Sequence, residues 1–475
     1  MLDIGWRQMF KRYCFFLSLL ILVTASQLSS AAQKSVDFSK LERTATQELR
    51  ETNTPGVAIA IISGDRIVFV KTLGVSNIET GTPVTADMLF RIASNTKMLT
   101  AAALVSLAEK GRIKLDEPIG AYLKGLSPKL SQLTLHQLLS HTAGIQDGSS
   151  DFGLHDDSSL GSFIRTWTDD YLFTEPGRIF SYSNLGYDLA GLVLEEVTGK
   201  PYADAMDEVL FKPLGMNRTT LRPLMAMTYP FSSGHRIAEK GEPVIVRPLA
   251  DEAREWPSGG VFTSVMDYGR FVIAFINHGR LNGKQVLSPA VIAKLSTAYS
   301  TSPVGGEQEH SQYGYGLNIV NYRRVRVLQH GGSMAGFGAL LRMVPEHRFA
   351  IIILGNRTGA LLTKTMDEAT DMALALTPKS PVEAKKPWPM NDAERARYVG
   401  TYINNPTYLT VEILQKDGNL FLKQVGANEI TPIVKVGNNR FSSDGEEFVL
   451  IPNQDNQLEF LYIVGHAFKK VQAGR

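Results

Sequence analysis

Ser94 and Lys97 stand three residues apart in Arg91-Ile92-Ala93-Ser94-Asn95-Thr96-Lys97. On a helix that spacing places both side chains on one face about a turn apart, so hydroxyl and amine can touch. The chemistry this suggests is nucleophilic. A serine hydroxyl attacks a carbonyl well only when a base removes its proton, and an ammonium becomes that base only where burial depresses its pKa. The segment Ile92 to Ala108 is apolar nearly all round, with Met98, Leu99, Ala102, Leu104, Val105 and Leu107 on more than one face. That pattern predicts a buried helix, whose first turn would also aim backbone N–H groups at developing negative charge. Against this, a chain this long carries about two Ser-x-x-Lys spacings by chance, and a solvated Lys at a helix start is the commoner arrangement. Ser94 and Lys97 are the only such pair in the sequence.

Two more segments carry usable groups. In Phe180-Ser181-Tyr182-Ser183-Asn184, Tyr182 could shuttle a proton and Asn184 could hold a substrate amide. The plainer reading is a buried Tyr followed by an Asn that caps a helix, since Leu185, Leu189, Leu192, Val193 and Val197 fall at helical spacing and Gly199 suits its end. The same Tyr-x-Asn spacing recurs at Tyr402-Ile403-Asn404, so it is not diagnostic. The third segment, Arg326-Val327-Leu328-Gln329-His330-Gly331-Gly332-Ser333-Met334, is a β-rich run ending in His and two glycines. Glycines on a strand let another backbone or a substrate approach closely, although a satisfied His and a Gly-Gly bulge would look the same.

The elements that must position these groups begin with Val57 to Ile62 and Arg66 to Val70, β-rich runs joined through Ser63-Gly64-Asp65 as a hairpin. Residues 110 to 300 are mainly helical and loopy. Strands return at Tyr315 to Val320, Arg324 to Gln329, Gly338 to Val344 and Phe349 to Leu354, before a closing helix from Leu361 to Leu376. Strands near both ends with helices between them predict an α+β domain over 33–376, its antiparallel sheet assembled from the two ends. Residues 377–392 hold four prolines without periodicity and form a linker. Short alternating runs such as Leu409 to Leu414 and Leu420 to Gln424 follow, split by turns such as Lys416-Asp417-Gly418-Asn419. They predict a small antiparallel all-β domain over 393–475, a barrel or a sandwich.

Composition excludes more than it identifies. With 49 basic and 47 acidic residues, there is no charge excess to attract nucleic acid. Arg7, Lys11 and Arg12 precede an apolar run from Tyr13 to Ala25 and the small residues Ser29 to Ala32, the layout of a signal peptide over 1–32. Its apolar run is shorter than the roughly 20 residues a membrane span needs, and membrane attachment is expected only if the segment is retained. The single cysteine, Cys14, lies inside it, so a cleaved chain would have no thiol or disulfide. The expectation is an exported bacterial protein, periplasmic or extracellular.

In order and context, Ser94-Asn95-Thr96-Lys97, Tyr182-Ser183-Asn184 and His330-Gly331-Gly332 resemble the three motifs of the penicillin-recognising serine hydrolases, specifically the class C β-lactamase and DD-peptidase-like family. Leu138 to Ile145, Pro213-Leu214-Gly215-Met216 and Ser258 to Ser264 before Asp267 are similar to that family as well, over about residues 38 to 376. The resemblance implies a β-lactamase/transpeptidase-like fold and acyl transfer in two steps, without cofactor or metal. Ser94 would be the nucleophile and Lys97 its neutral base. Tyr182 would exchange a proton with Lys97, and which of the two takes the Ser94 proton stays open. The oxyanion would lie between the backbone N–H groups of Ser94 and Ser333, beside Gly332, and Asn184 would orient an acyl-side amide. The segment from Tyr398 to Val471 resembles a β-barrel domain often appended to such hydrolases.

One position departs from the family pattern. The third motif of class C β-lactamases usually begins with Lys, and this chain has His330. An unperturbed imidazole is mostly neutral near pH 7, so a substrate carboxylate would lose its full-time cation. The expected substrate is a small molecule or peptide: a D-amino-acid peptide, a peptidoglycan fragment, a β-lactam or a small ester. Loops at 146–160 and 300–312 would shape its pocket. Two rival functions are a non-catalytic or slowly acylating penicillin-binding sensor, and a metal hydrolase built on some of the nine histidines. No His-x-x-x-His or His-Glu-x-x-His pair supports the second.

Overall fold

A computed structural model describes residues 37–304, 311–374, 376, 386–407, 409–427 and 429–471. The expected signal segment 1–32, most of the linker 377–392 and part of the 300–312 loop lie outside them. The chain divides into two compact units, Met1–Arg43 and Thr44–Arg475. Helix α1, Ser39–Glu51, begins in the first and ends in the second. The rest of the described chain belongs to the second unit.

Nine strands build the main sheet among the described residues. They are β1 (Gly56–Ser63), β2 (Arg66–Asn77), β3 (Thr82–Pro83), β4 (Ser300–Thr301), β5 (Gln312–Tyr313), β6 (Asn318–Tyr322), β7 (Val325–Met334), β8 (Phe337–Val344) and β9 (Phe349–Gly355). Their spatial order is β4-β5-β6-β7-β8-β9-β1-β2-β3. β1, with the sequence Gly-Val-Ala-Ile-Ala-Ile-Ile-Ser, is buried along all but its last residue, as a strand covered on both faces must be. It pairs antiparallel with β2 on one side and with β9 on the other, Ile59 opposite Ile353. The sheet is thus assembled from both ends of the domain, an α+β arrangement. Between β3 and β4 come α2 (Thr96–Glu109), α3 (Leu135–Leu139), α4 (Asn184–Thr198) and α5 (Val265–Ile276); α6 (Thr363–Ala373) follows β9.

Several expected boundaries move, each for a local reason. The helix expected from Ile92 begins at Thr96, because Ala93 takes φ +45° and a single 3₁₀ turn, Ala93–Asn95, intervenes. The strand expected from Tyr315 begins at Asn318, because Gly316 turns at φ +75° against α2, where a Cβ would stand 2.6 Å from the Met98 nitrogen. β7 does not end at the glycines of the third motif but continues to Met334. The closing helix keeps only Thr363–Ala373 of the expected span.

After α7 (Asp392–Tyr398) the chain closes an eight-stranded barrel: β10 (Gly400–Asn405), β11 (Leu409–Lys416), β12 (Asn419–Gln424), β13 (Thr431–Gly437), β14 (Arg440–Ser443), β15 (Glu446–Pro452), β16 (Leu458–Ile463) and β17 (His466–Lys470). Tyr402, Ile413, Leu420, Phe441, Phe448 and Leu461 are among the side chains that fill its core. Against the main domain it lays a second apolar cluster, Val449, Phe460, Tyr462 and Ala467 on Phe180 and Tyr313. No described helix is long and apolar enough to cross a membrane.

Candidate active site

Ser94 sits in the 3₁₀ turn that joins the short strand Phe90–Arg91 to α2. The left-handed backbone at Ala93 is a costly conformation for a residue with a Cβ, held by packing on both sides. β7 crosses this turn so closely that a Cβ on Gly332 would stand 2.3 Å from the Ile92 oxygen and 3.2 Å from the Ser94 nitrogen. A glycine is therefore required at 332, and it brings Ser333 to the cavity that Ser94 also lines.

Lys97 is wholly buried in the first turn of α2, a helix whose apolar residues face every direction. Its Nζ donates to Ser94 Oγ at 3.2 Å, Asn184 Oδ1 at 2.6 Å and the Ser258 carbonyl at 2.8 Å. Burial pushes its pKa down to about 8, against the opposing pull of Asp188, Asp147 and Glu255. Burial likewise raises the Asp188 and Glu255 carboxyls well above the carboxylate range. Asp188 follows Asn184 by one turn of α4, and its Oδ1 accepts from the Ser258 N–H at 3.2 Å. Ser258 thus meets Lys97 through its carbonyl and Asp188 through its amide.

Tyr182 is half-buried, with the Lys97 Nζ 4.8 Å from its ring centroid and the His141 ring 4.4 Å away. Burial raises the phenol's pKa far above its usual value, and the hydrogen bond with Ser94 only partly offsets this. Tyr182 therefore stays a neutral phenol at physiological pH. His141 Nδ1 accepts the Ser183 N–H at 3.1 Å, and burial holds its pKa well below normal. Asn184 is not the helix cap expected from its position. Ser183 Oγ takes the Gly186 N–H at 3.0 Å and caps α4, leaving the Asn184 side chain to the site. The Asn184 backbone N–H donates to Asp147 Oδ1 at 2.6 Å, and its Nδ2 lies 3.5 Å from Asp147 Oδ2.

His330 projects from β7 toward Tyr313, with Nε2 3.1 Å from the phenol oxygen. Burial, and then the Lys97 charge, push its pKa down to about 4, so it is neutral at physiological pH. Two hollows flank the site. One, of about 90 Å³, is lined by Ser94, Ser149 to Asp151, Asn184, Glu252, Glu255 and Ser333 among others. The other, of about 400 Å³, lies beyond Tyr182 among Tyr313, His330 and Gly331, walled by Val464, Gly465 and His466 of the barrel.

All seven residues singled out in the sequence meet here: Ser94, Lys97, Tyr182, Asn184, His330, Gly332 and Ser333. Asp147, Asp188, Glu255 and the barrel's Asn404, Asn405 and His466 also border the site, and none belongs to the three motifs. Asp188 had one legible signal, its four-residue spacing from Asn184 on one helical face. Among the described residues no group of three or more His, Cys, Asp or Glu could hold a metal ion.

Several known proteins resemble the chain in sequence or in fold. The chain is 25% identical to protein flp of Staphylococcus aureus (strain MW2) over 328 residues, 67% of this chain but 63% of that protein's length. It is 28% identical to penicillin-binding protein 4 of Amycolatopsis lactamdurans over 315 residues, 64% of this chain and 82% of the other. Among solved structures, SurE superposes with a TM-score of 0.75 at 23% identity, covering 91% of this chain and 98% of that one. A class C β-lactamase from Rhodobacter sphaeroides superposes with a TM-score of 0.57 at 22% identity, covering 70% of this chain and 97% of the other. The profile of the Beta-lactamase family matches residues 41–375, which takes in the 3₁₀ turn, both halves of the main sheet and the helices between. A match over that much of the chain places the protein in the Beta-lactamase family.

Proposed function

We propose that the protein is a serine hydrolase that acts through an acyl-enzyme on an amide or ester. The observation that carries this reading is the set of groups around Lys97 Nζ. Two of its three partners, the Asn184 and Ser258 carbonyl oxygens, can only accept, while the third, Ser94 Oγ, can also donate. A neutral amine would satisfy the two acceptors with its N–H bonds and turn its lone pair to Ser94. Lys97 then takes the Ser94 proton as Oγ attacks the substrate carbonyl. The raised pKa of Tyr182 favours a role as proton carrier from Lys97 to the leaving group over a role as phenolate base. Water would release the acyl group in the second step. Gly332 supports a Ser94–Ser333 oxyanion site by bringing β7 against the 3₁₀ turn.

The substrate's leaving side would face the hollow beyond Tyr182, whose lining holds no Lys or Arg among the described residues and a neutral His330. This favours neutral esters and amides, D-amino-acid amides included, over substrates with a carboxylate beside the scissile bond. The charged and apolar order of residues 1–32 supports export, which N-terminal sequencing of secreted protein would test.

Intact mass after treatment with a fluorophosphonate and a fluorescent penicillin tests the main reading. An adduct mapping to Ser94 and absent from Ser94→Ala is expected with at least the first probe. Folded protein that takes up neither would replace this reading with a non-catalytic binding module.

A further inference from the structure

The barrel reaches the site at two places, both through polar groups. At the end of β10, Asn404 Oδ1 accepts the Asp147 N–H at 2.8 Å and Asn405 Nδ2 donates to the Asp147 carbonyl at 2.9 Å. One barrel strand thus grips both backbone groups of Asp147, using amides only 1% and 5% exposed. The Asp147 carboxylate in turn faces the backbone and side-chain amide of Asn184. That contact directs Nδ2 of Asn184 toward Asp147 and its oxygen toward Lys97. At the second place, Tyr182 N–H donates to the Gly465 carbonyl at 2.9 Å and the Tyr182 carbonyl lies 3.1 Å from His466 Nδ1. Ser181 Oγ meanwhile accepts from Ala467 N–H at 3.1 Å and from Asn404 Nδ2 at 3.3 Å.

Cementing two domains together does not call for this pattern. The apolar cluster of Val449, Phe460 and Tyr462 on Phe180 and Tyr313 already does that, and burying amides at an interface costs free energy unless each is satisfied. The polar contacts instead converge on Asp147, Ser181 and Tyr182, neighbours in space or sequence of the groups that touch Ser94 and Lys97. We propose that Asn404 and Asn405 of the barrel are positioning residues of the acyl-transfer site, acting through Asp147 to hold Asn184 and thereby to aim the Lys97 amine at Ser94. This rests on the reading of Ser94 as nucleophile.

The test uses the whole chain and compares Asn405→Ala, Asn404→Ala, Asp147→Asn and the double variant Asn405→Ala with Asp147→Asn. Each is assayed for fluorophosphonate labelling and neutral-ester hydrolysis well below its unfolding temperature. Because misplacing a catalytic group by about an ångström costs on the order of a hundredfold, the single variants are expected to lose about ten- to a hundredfold in labelling rate and kcat. KM should stay within about twofold, and the double variant should be no slower than Asp147→Asn alone, since both act along one path. Asn405→Asp, of the same shape but without the donor, replaces the alanine variant if that does not fold. Labelling within about twofold of the unmodified protein in a folded variant overturns the proposal, as does a double variant whose losses multiply. If the unmodified protein takes up no label, the nucleophile reading fails on its own. A crystal structure of Asn405→Asp then decides the positioning claim, which an unmoved Asn184 overturns.

Discussion

The two hollows beside Ser94 differ in size, chemistry and origin. The smaller, about 90 Å³, is lined by Asp151, Glu252 and Glu255 with several serines, all from the main domain. The larger, about 400 Å³, is aromatic and imidazole-rich, and the turn between β16 and β17 forms one of its walls. One side of Ser94 is therefore shaped by the family domain alone, the other jointly with the barrel. Specificity on the barrel side can change without altering Ser94, Lys97 or the turn that holds them.

Lys97 lies where both sides meet, so its removal should erase the contrast altogether. Lys97→Met is expected to lower fluorophosphonate labelling about a thousandfold, the usual scale for losing a general base. In the unmodified protein the rate should climb with pH through about 8, because burial lowers the lysine pKa to that value and the proposed active form is the neutral amine. A flat profile across that window would refute the role given to Lys97.

On the barrel side, His330→Lys restores a cation beside the hollow. Acylation by carboxylate-bearing β-lactams relative to neutral esters should rise about tenfold, the scale of one charge-assisted hydrogen bond. An unchanged ratio would mean that charge on this side does not select the substrate.

The same histidine links the site to stability. Its folded pKa, about 4, lies below the unfolded value near 6.5, so the unfolded chain binds more protons between these limits. Its contribution is whole above pH 6.5 and declines as pH falls toward 4, by about 3 kcal/mol in total. Denaturant melts of His330→Gln and the unmodified protein at pH 7 and pH 4.5 should show a shallower loss in the variant. The smallest effect belongs to the other hollow. Glu255→Gln should leave neutral-ester turnover within about twofold at pH 7, since burial raises the pKa of that carboxyl and so favours its neutral form. A large loss there would give the carboxyl a direct part in the chemistry.

What was legible in the sequence divides along similar lines. Ser94 and Lys97 could be paired because they are local, and Gly332 because a glycine on a strand announces a close approach. The sheet built from both ends followed from apolar runs with strand periodicity. Asp147, Asn404 and Asn405 were not legible, since they meet only after more than 250 residues of intervening chain are folded. Tyr402-Ile403-Asn404, which weakened the Tyr-x-Asn signal in the sequence, proves to supply an asparagine to the site's surroundings. Asn184 was open to reading as a cap because Ser183 and Asn184 are both good capping residues, and only the folded geometry assigns that task to Ser183.

The grip of β10 on Asp147 has a thermodynamic corollary. Coupling between two places in a protein is reciprocal, so free energy that the barrel contributes to the order of the cleft must return when the cleft is occupied. If Ser94 is acylated as proposed, an acyl group that stiffens Asn184 and Tyr182 would slow amide exchange in β10 and in the turn before β17, and the barrel would record, in its own protection, whether Ser94 is loaded.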